Sequence, residues 1–325
     1  MKACVCDRYG GPERVRVVEV PTPVPGPNEV LVRIMASTVS AADSRVRALR
    51  VPRGMAAMAR LALGLRGPRR RVLGTELAGV VEAIGARVAR FAVGDRVLGF
   101  PGADFGCHAE YRAMAEADEL VAIPAGLSFE EAASLPFGAM SALHFLRAAH
   151  VRPGERVLVV GASGAVGSAL VQLGRVFGAE VTGVTSTGNL DLVAGLGAAR
   201  VIDYTATDIL RGGERFDIVA DMVGAVGFAR YRHVLRPRGR MLAVAAEMPD
   251  MLAMAWAPIW GMRVFAGPAT TKPGDLRQVA GWAAQGVLRP VIDRCYAMDE
   301  IAAAHAYVDS GRKRGSVVLR IAGTD

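Results

Sequence analysis

Between a strongly apolar run and an apolar helix pattern, residues 157–168 read Val-Leu-Val-Val-Gly-Ala-Ser-Gly-Ala-Val-Gly-Ser. Glycines at 161, 164 and 167 in that setting are what a phosphate-binding turn requires. Gly164 allows backbone to approach a pyrophosphate, Gly167 lets the helix lie close on the sheet, and the helix N-terminus offers free N–H groups with partial positive charge. In the G-x-G-x-x-G register the first glycine position is Ala162, with Gly161 one place earlier. The strand before, the helix after and a second strand at 180–185 favour dinucleotide binding over an unliganded turn. The second strand ends Val184-Thr-Ser-Thr-Gly-Asn189, and no acid follows until Asp191. An acid at such a tip accepts from the adenosine ribose and repels a 2′-phosphate. Its absence favours NADPH, with NADH also possible; capping of the next helix by these residues is the plainer alternative.

Other groups with chemistry to offer give weaker patterns. His108 follows Cys107, but no third metal ligand stands at usable spacing, and the four cysteines form no Cys-x-x-Cys. His144, His150, His233 and His305 are isolated along the chain and read as structural.

The elements that must position these residues follow from punctuation and period. Short alternating segments at 2–7, 15–20, 29–36, 77–84, 96–100 and 108–113, separated by proline- and glycine-rich turns, predict a β-rich first part. Helical spacing follows over 130–149. Strands at 156–160, 180–185, 200–202, 217–220 and 240–244 then alternate with helices at 166–177 and near 190–196, which implies a parallel sheet with right-handed crossovers. A helix over 299–310 and a strand over 316–321 come last. The class is α/β, and 325 residues suit two domains.

Composition sets limits. Hydrophobic residues are 52% and charged residues 22% of the chain, which excludes global disorder. The uncharged run 157–174 is interrupted by four glycines, so strand, turn and helix fit it better than a membrane span. No secretory signal is visible, and the cysteine usage fits a reducing, cytoplasmic setting. Net charge is +8, from 36 arginines and only three lysines against 31 acids. The densest run, Arg69-Arg70-Arg71, lacks interleaved aromatics, which argues for a solvated loop and against nucleic acid.

Taken together, Gly74-Thr-Glu-Leu-Ala-Gly79, Gly94-Asp-Arg-Val97, Ala109-Glu-Tyr111, the 161–167 turn, Leu196-Gly-Ala198, Val201-Ile-Asp-Tyr204 and Pro290-Val-Ile-Asp293 resemble the medium-chain dehydrogenase/reductase superfamily, most closely its zinc-independent quinone oxidoreductase branch. The resemblance implies a GroES-like β-rich catalytic domain over 1–123 and 267–325, with a Rossmann domain inserted at 124–266 and the cofactor between them. It implies cofactor contacts from Ser141, Gly161, Ala162, Ser163, Gly164, Ala165, Val166, Gly167, Thr185, Ser186, Asn189, Tyr204, Val223 and Ala245, and places Ser40, Trp256 and Trp260 toward the substrate. In the cleft so implied, Ser40, Asp43 and Ser141 are weak candidates for delivering a proton, with water as the leading donor and helix capping the main role for Asp43. Met251–Met262, with Trp256 and Trp260, would stand at the substrate opening as an apolar wall for a flat acceptor, or else form ordinary core or a subunit contact. Where zinc relatives carry Gly-His-Glu this chain has Gly74-Thr75-Glu76, Ser40 holds the catalytic cysteine position, and the four-cysteine lobe is missing; no zinc is expected. The activity implied is hydride transfer from NADPH to a small hydrophobic quinone or carbonyl-conjugated alkene, by a homodimer pairing near 263–266. A non-catalytic dinucleotide-binding protein with an RNA or protein partner stays open beside it.

Overall fold

The computed structural model describes residues 1–321. In chain order the elements are β1 (Lys2–Cys6), β2 (Val15–Glu19), β3 (Glu29–Thr38), α1 (Ala41–Ala48), α2 (Ala56–Leu63), β4 (Leu77–Ile84), β5 (Arg96–Gly99), β6 (Tyr111–Ala115), β7 (Leu120–Ala122), α3 (Phe129–Ala133) and α4 (Pro136–Ala148). An alternation follows: β8 (Arg156–Val160), α5 (Ala165–Val176), β9 (Glu180–Thr185), α6 (Leu190–Gly195), β10 (Arg200–Asp203), β11 (Phe216–Asp221), α7 (Phe228–Tyr231), β12 (Leu235–Ala243), α8 (Met248–Trp256) and β13 (Arg263–Ala266). After it come α9 (Asp275–Ala284), β14 (Ile292–Ala297), α10 (Ile301–Asp309) and β15 (Ser316–Arg320). The chain divides into two compact units. Unit 1 holds Met1–Phe137, Lys272–Gly286 and the chain from Pro290 onward; unit 2 holds Gly138–Thr271 and Val287–Arg289.

Unit 1 is built on a seven-stranded sheet in the order β14-β15-β3-β4-β5-β7, with β6 also on β3, and a separate β1-β2 pair. β15 runs antiparallel to β3, Val318 facing Thr38, so distant sequence completes the first sheet. Alternating apolar positions turn inward, and Val30, Val32, Ile34, Leu77, Val97, Met114, Val317 and Leu319 form one buried core. The strand expected at 108–113 is displaced to 111–115. His108 and Ala109 serve β1 instead: the Cys4 N–H donates to the His108 carbonyl and Ala109 bridges Ala3, so pairing with β3 starts at Tyr111 opposite Arg33. The single helix expected over 130–149 is two, because Pro136 has no N–H to continue the ladder.

Unit 2 is a six-stranded, wholly parallel sheet in the order β10-β9-β8-β11-β12-β13. Counted from β8, that is 3-2-1-4-5-6, the Rossmann order, in which the strand sequence reverses between β8 and β11. Ligands of such sheets bind outside the carboxyl ends of the strands at that reversal. The 161–167 turn lies there, directly after β8.

Candidate functional site

The turn is shaped by its glycines. Gly161 has φ +80°, open to glycine at little cost, and a Cβ there would stand 2.8 Å from the Val223 side chain. At Gly167 a Cβ would come within 2.1 Å of the Gly161 carbonyl oxygen, so α5 rests against the turn itself. Gly164 differs. It caps α5 without a side chain, and a Cβ there would meet only the Gly161 oxygen, at 3.5 Å. The N–H groups of Ala165, Val166 and Gly167, in the first turn of α5, have no intrahelical acceptor, the arrangement by which helix N-termini hold anions. Below the turn, the Gly161 and Ala162 N–H groups donate to the Val184 carbonyl, Ala162 is buried, and the Thr185 hydroxyl donates to Ser163 Oγ at 3.0 Å. Strand β9 thereby holds the turn in place.

Beyond β9, Asn189 Nδ2 donates to Ser186 Oγ at 3.1 Å, so these two hydroxyl and amide groups are set side by side. Tyr204 follows β10, its N–H bonded to the Thr185 carbonyl, and the residue is 61% exposed. The tip is less free of acid than its sequence implies. Thr187 Oγ1 donates to Asp203 Oδ2 at 2.6 Å, and Thr205 donates to Asp203 through both N–H and hydroxyl. These bonds, that of Thr187 foremost, hold the Asp203 carboxyl below its ordinary range, keeping a negative charge beside the tip of β9. Parallel pairing of β10 with β9, Asp203 opposite Thr185, delivers that acid; the Val-Ile-Asp-Tyr motif was the available signal.

At the reversal point Asp221 ends β11 and is buried, and its carboxylate accepts from the N–H groups of Val223, Gly224 and Ala225 at 2.8–2.9 Å. The loop so fixed puts Val223 over Gly161, and Gly224 lies close enough to β12's exit that a Cβ would be 2.9 Å from the Ala245 carbonyl oxygen. Gly161, Val223 and Ala245 therefore share one end of the sheet. Ser141 joins from α4: three residues earlier on the same face, Gly138 packs so tightly on α5 that a Cβ would be 2.5 Å from the Ala165 carbonyl oxygen. The two tryptophans part company. Trp256 packs edge-on to Phe228 at 5.0 Å against the core of unit 2, whereas Trp260 is 56% exposed beneath the Arg232 guanidinium.

In unit 1 the candidate polar groups are engaged with one another. Ser40 and Asp43 form a capping box on α1: Ser40 N–H and Oγ donate to Asp43 Oδ2 at 2.8 and 2.5 Å, and Asp43 N–H returns to Ser40 Oγ. Asp43 Oδ1 also accepts from Gly74 N–H at 2.8 Å, tying α1 to the Gly74-Thr75-Glu76 segment. Glu76 is buried, with its carboxylate accepting from the Thr38 hydroxyl and from Phe137 N–H. Burial pushes its carboxyl up to about 8 in spite of those two bonds. The Thr75 hydroxyl is buried without a partner. Cys107 is buried and its thiol pushed up to about 12 by burial, unlike a reactive thiolate, while His108 Nε2 lies 2.8 Å from the Thr38 carbonyl. His305 is not isolated in space: it meets the His108 ring edge-on at 6.1 Å, deep in unit 1. Among the described residues, no three His, Cys, Asp or Glu side chains gather as metal ligands. Hydroxyls at 40 and 75, the first donating to Asp43, are a donor set that does not fit a zinc centre.

Comparison with known proteins extends these observations. Residues 26–125 match the family described as "Alcohol dehydrogenase GroES-like domain" and residues 196–319 the family described as "Zinc-binding dehydrogenase". The chain is 30% identical to a quinone oxidoreductase of Pseudomonas aeruginosa over 96% of this chain and 97% of that protein. It is 31% identical to a 2-methylene-furan-3-one reductase of Solanum lycopersicum, covering 98% of this chain and 79% of that one. The structure of a quinone oxidoreductase from Coxiella burnetii superposes with a TM-score of 0.86 at 27% identity, over 99% of both chains.

Proposed function

The chain belongs to the medium-chain dehydrogenase/reductase superfamily, in its quinone oxidoreductase-like branch, and is an NAD(P)H-dependent oxidoreductase; on that premise we propose that it moves a hydride from NADPH to a small apolar quinone or carbonyl-conjugated alkene without zinc. One observation carries the reading: an open, glycine-lined helix N-terminus stands at the sheet's reversal point in a chain whose counterparts of zinc-ligand positions are Ser40 and Thr75. The bound dinucleotide supplies the hydride. Ala165, Val166 and Gly167 hold its pyrophosphate through backbone N–H groups, and Gly164 keeps the approach clear. Val223 and Ala245 border the nicotinamide ribose, with Ser141 beside them. Thr185, Ser186, Asn189 and Tyr204 surround the adenosine ribose. Ser186 and Asn189 donate to a 2′-phosphate, but Asp203 opposes that charge, so NADPH is preferred by a small margin. With no metal to polarise an oxygen, the acceptor must already be activated by conjugation, and water completes the reduction by supplying the proton. The names of the tomato and Pseudomonas relatives support this acceptor class.

Two further expectations belong to this reading. A homodimer pairs through β13, which lies at the open edge of the unit 2 sheet. The free cysteines suit a reducing cytoplasm. The test is a steady-state screen of quinones, enones and aldehydes with NADPH and NADH. Consumption of NADPH with quinones or enones is expected. Tight NADPH binding with no turnover on any acceptor would replace this reading by that of a non-catalytic dinucleotide-binding protein.

A further inference from the structure

From Ser44 to Thr75 the chain holds nine arginines and not one acid. At its centre is α2, Ala-Ala-Met-Ala-Arg-Leu-Ala-Leu, apolar on every face except at Arg60. A helix apolar all round is ordinarily buried, yet none of its eight residues is, and Met58, Leu61 and Leu65 are 57%, 68% and 70% exposed. Met55, Ala59 and Leu63, at four-residue spacing, are half-buried on the inward side, leaving Met58 and Leu61 on the outer one. Charge sits directly beside these tips. Arg60 donates to the Leu65 carbonyl at 2.7 Å and Arg69 to the Leu61 carbonyl at 2.8 Å.

The acids that reach this segment from elsewhere are few. Asp309 pairs Arg47 and Arg50, Asp104 pairs Arg70, and Asp7 pairs Arg71. That leaves Arg45, Arg53, Arg60, Arg66 and Arg69 with no carboxylate partner among the described residues, all exposed. Guanidinium groups around protruding apolar side chains match a surface with anionic headgroups over hydrocarbon: the charges stay in the headgroup layer while the tips enter the acyl boundary. Nucleic acid would satisfy the charges but leave Met58, Leu61 and Leu65 in water, and no aromatic stands among the residues of α2 to stack on bases. We propose that the segment 45–71 of unit 1 is a docking surface for anionic lipid bilayers, binding at the interface without crossing it.

Sedimentation of the full chain with vesicles tests this, using phosphatidylcholine alone and phosphatidylcholine with phosphatidylglycerol. Binding to the anionic vesicles only is expected, weakening as salt rises. The triple variant Arg53→Gln/Arg66→Gln/Arg69→Gln should lower partitioning about a hundredfold, at roughly fivefold per charge. A charge-matched control, Arg87→Gln/Arg152→Gln/Arg215→Gln, alters exposed arginines elsewhere and should lower it only a fewfold. Met58→Ser/Leu61→Ser/Leu65→Ser keeps every charge and should still cost tenfold or more. The proposal falls if anionic vesicles do not bind, if the two arginine triples lose equally, if the serine triple binds like the parent, or if a duplex or single-stranded oligonucleotide binds more tightly than the vesicles at the same salt.

Discussion

The turn at 161–167 and the polar cluster around Asp43 both gather groups with chemistry to offer, and they dispose of them in opposite ways. In the turn, the protein satisfies only the groups that hold the shape: Gly161 and Ala162 N–H on Val184, Thr185 on Ser163. The first N–H groups of α5 and the space over Gly164 are left for something else. Around Asp43, by contrast, one carboxylate takes the Ser40 N–H, the Ser40 hydroxyl and the Gly74 N–H, and Glu76 takes Thr38 and Phe137. A receptive site leaves donors unpaired at a surface; a buried polar cluster that closes on itself, here with the Thr75 hydroxyl as its exception, is scaffold. The region that resembles a metal site in sequence position has become a clamp between α1 and the start of β4.

The largest effect that would sharpen this contrast comes from two neighbouring glycines. Gly167→Val drives a side chain into the Gly161 carbonyl and should abolish cooperative unfolding of unit 2, seen as a lost calorimetric transition. Gly164→Val finds open space in the protein, so the fold should survive while NADPH affinity drops by at least about a hundredfold, ~2.7 kcal/mol. An unchanged affinity in the folded Gly164→Val protein would break the comparison.

Next, Asp43→Ala orphans three buried donors and should cost about 3 kcal/mol in denaturant unfolding, with dinucleotide affinity unchanged. A variant that keeps its stability but loses turnover would make Asp43 catalytic after all.

The third effect is one of pH. Glu76 is protonated in the folded chain up to about 8, but ionised once unfolded above its ordinary 4.5. Between those values the native state binds the extra proton, so this group's contribution to stability falls as pH rises and levels off above 8. His305, held neutral by burial, adds the opposite slope only below 6.5. Lys313, lowered to about 8 by burial with the Glu76 charge raising it, adds a rising slope of its own from about 8 upward. From pH 6.5 to 8 the falling slope of Glu76 leads, and the parent should lose on the order of 1 kcal/mol or more relative to Glu76→Gln over that window. Parallel stability curves for the two proteins would refute the buried proton.

The smallest effect concerns the ribose end. NADPH should be preferred over NADH by less than about tenfold in kcat/KM, ~1.4 kcal/mol. Asp203→Asn should widen that preference by removing the opposing charge. Gly188→Arg, where a side chain meets nothing within 4 Å, should widen it further, and Ser186→Asp should reverse it. If none of the three moves the ratio, the 2′-phosphate is read elsewhere.

What was legible in the sequence was what is local. The turn declares itself because strand, glycines and helix are contiguous, and the strands of both units because burial imposes their period. Asp203 escaped because its approach to Thr187 depends on a strand pairing across 16 residues. His305 and His108, nearly two hundred positions apart, meet only when α10 folds onto the first sheet. α2 gave no periodic signal because it has almost no polar face to alternate with.

The pairing of β15 with β3 also sets an order of events during synthesis. Thr38 leaves the ribosome long before its partner Val318 is made; at about 5–20 residues per second the interval is roughly 14–56 s. Unit 2, whose sheet is drawn from one continuous stretch between those two strands, is translated in full within it. The nascent chain therefore carries a finished parallel-sheet unit while the upper end of β3, Ala36 to Thr38, still lacks the neighbour it has in the native sheet. Premature termination between Arg289 and Ser316 keeps all of unit 2 but leaves that edge open for good, and the truncated product should aggregate through unit 1.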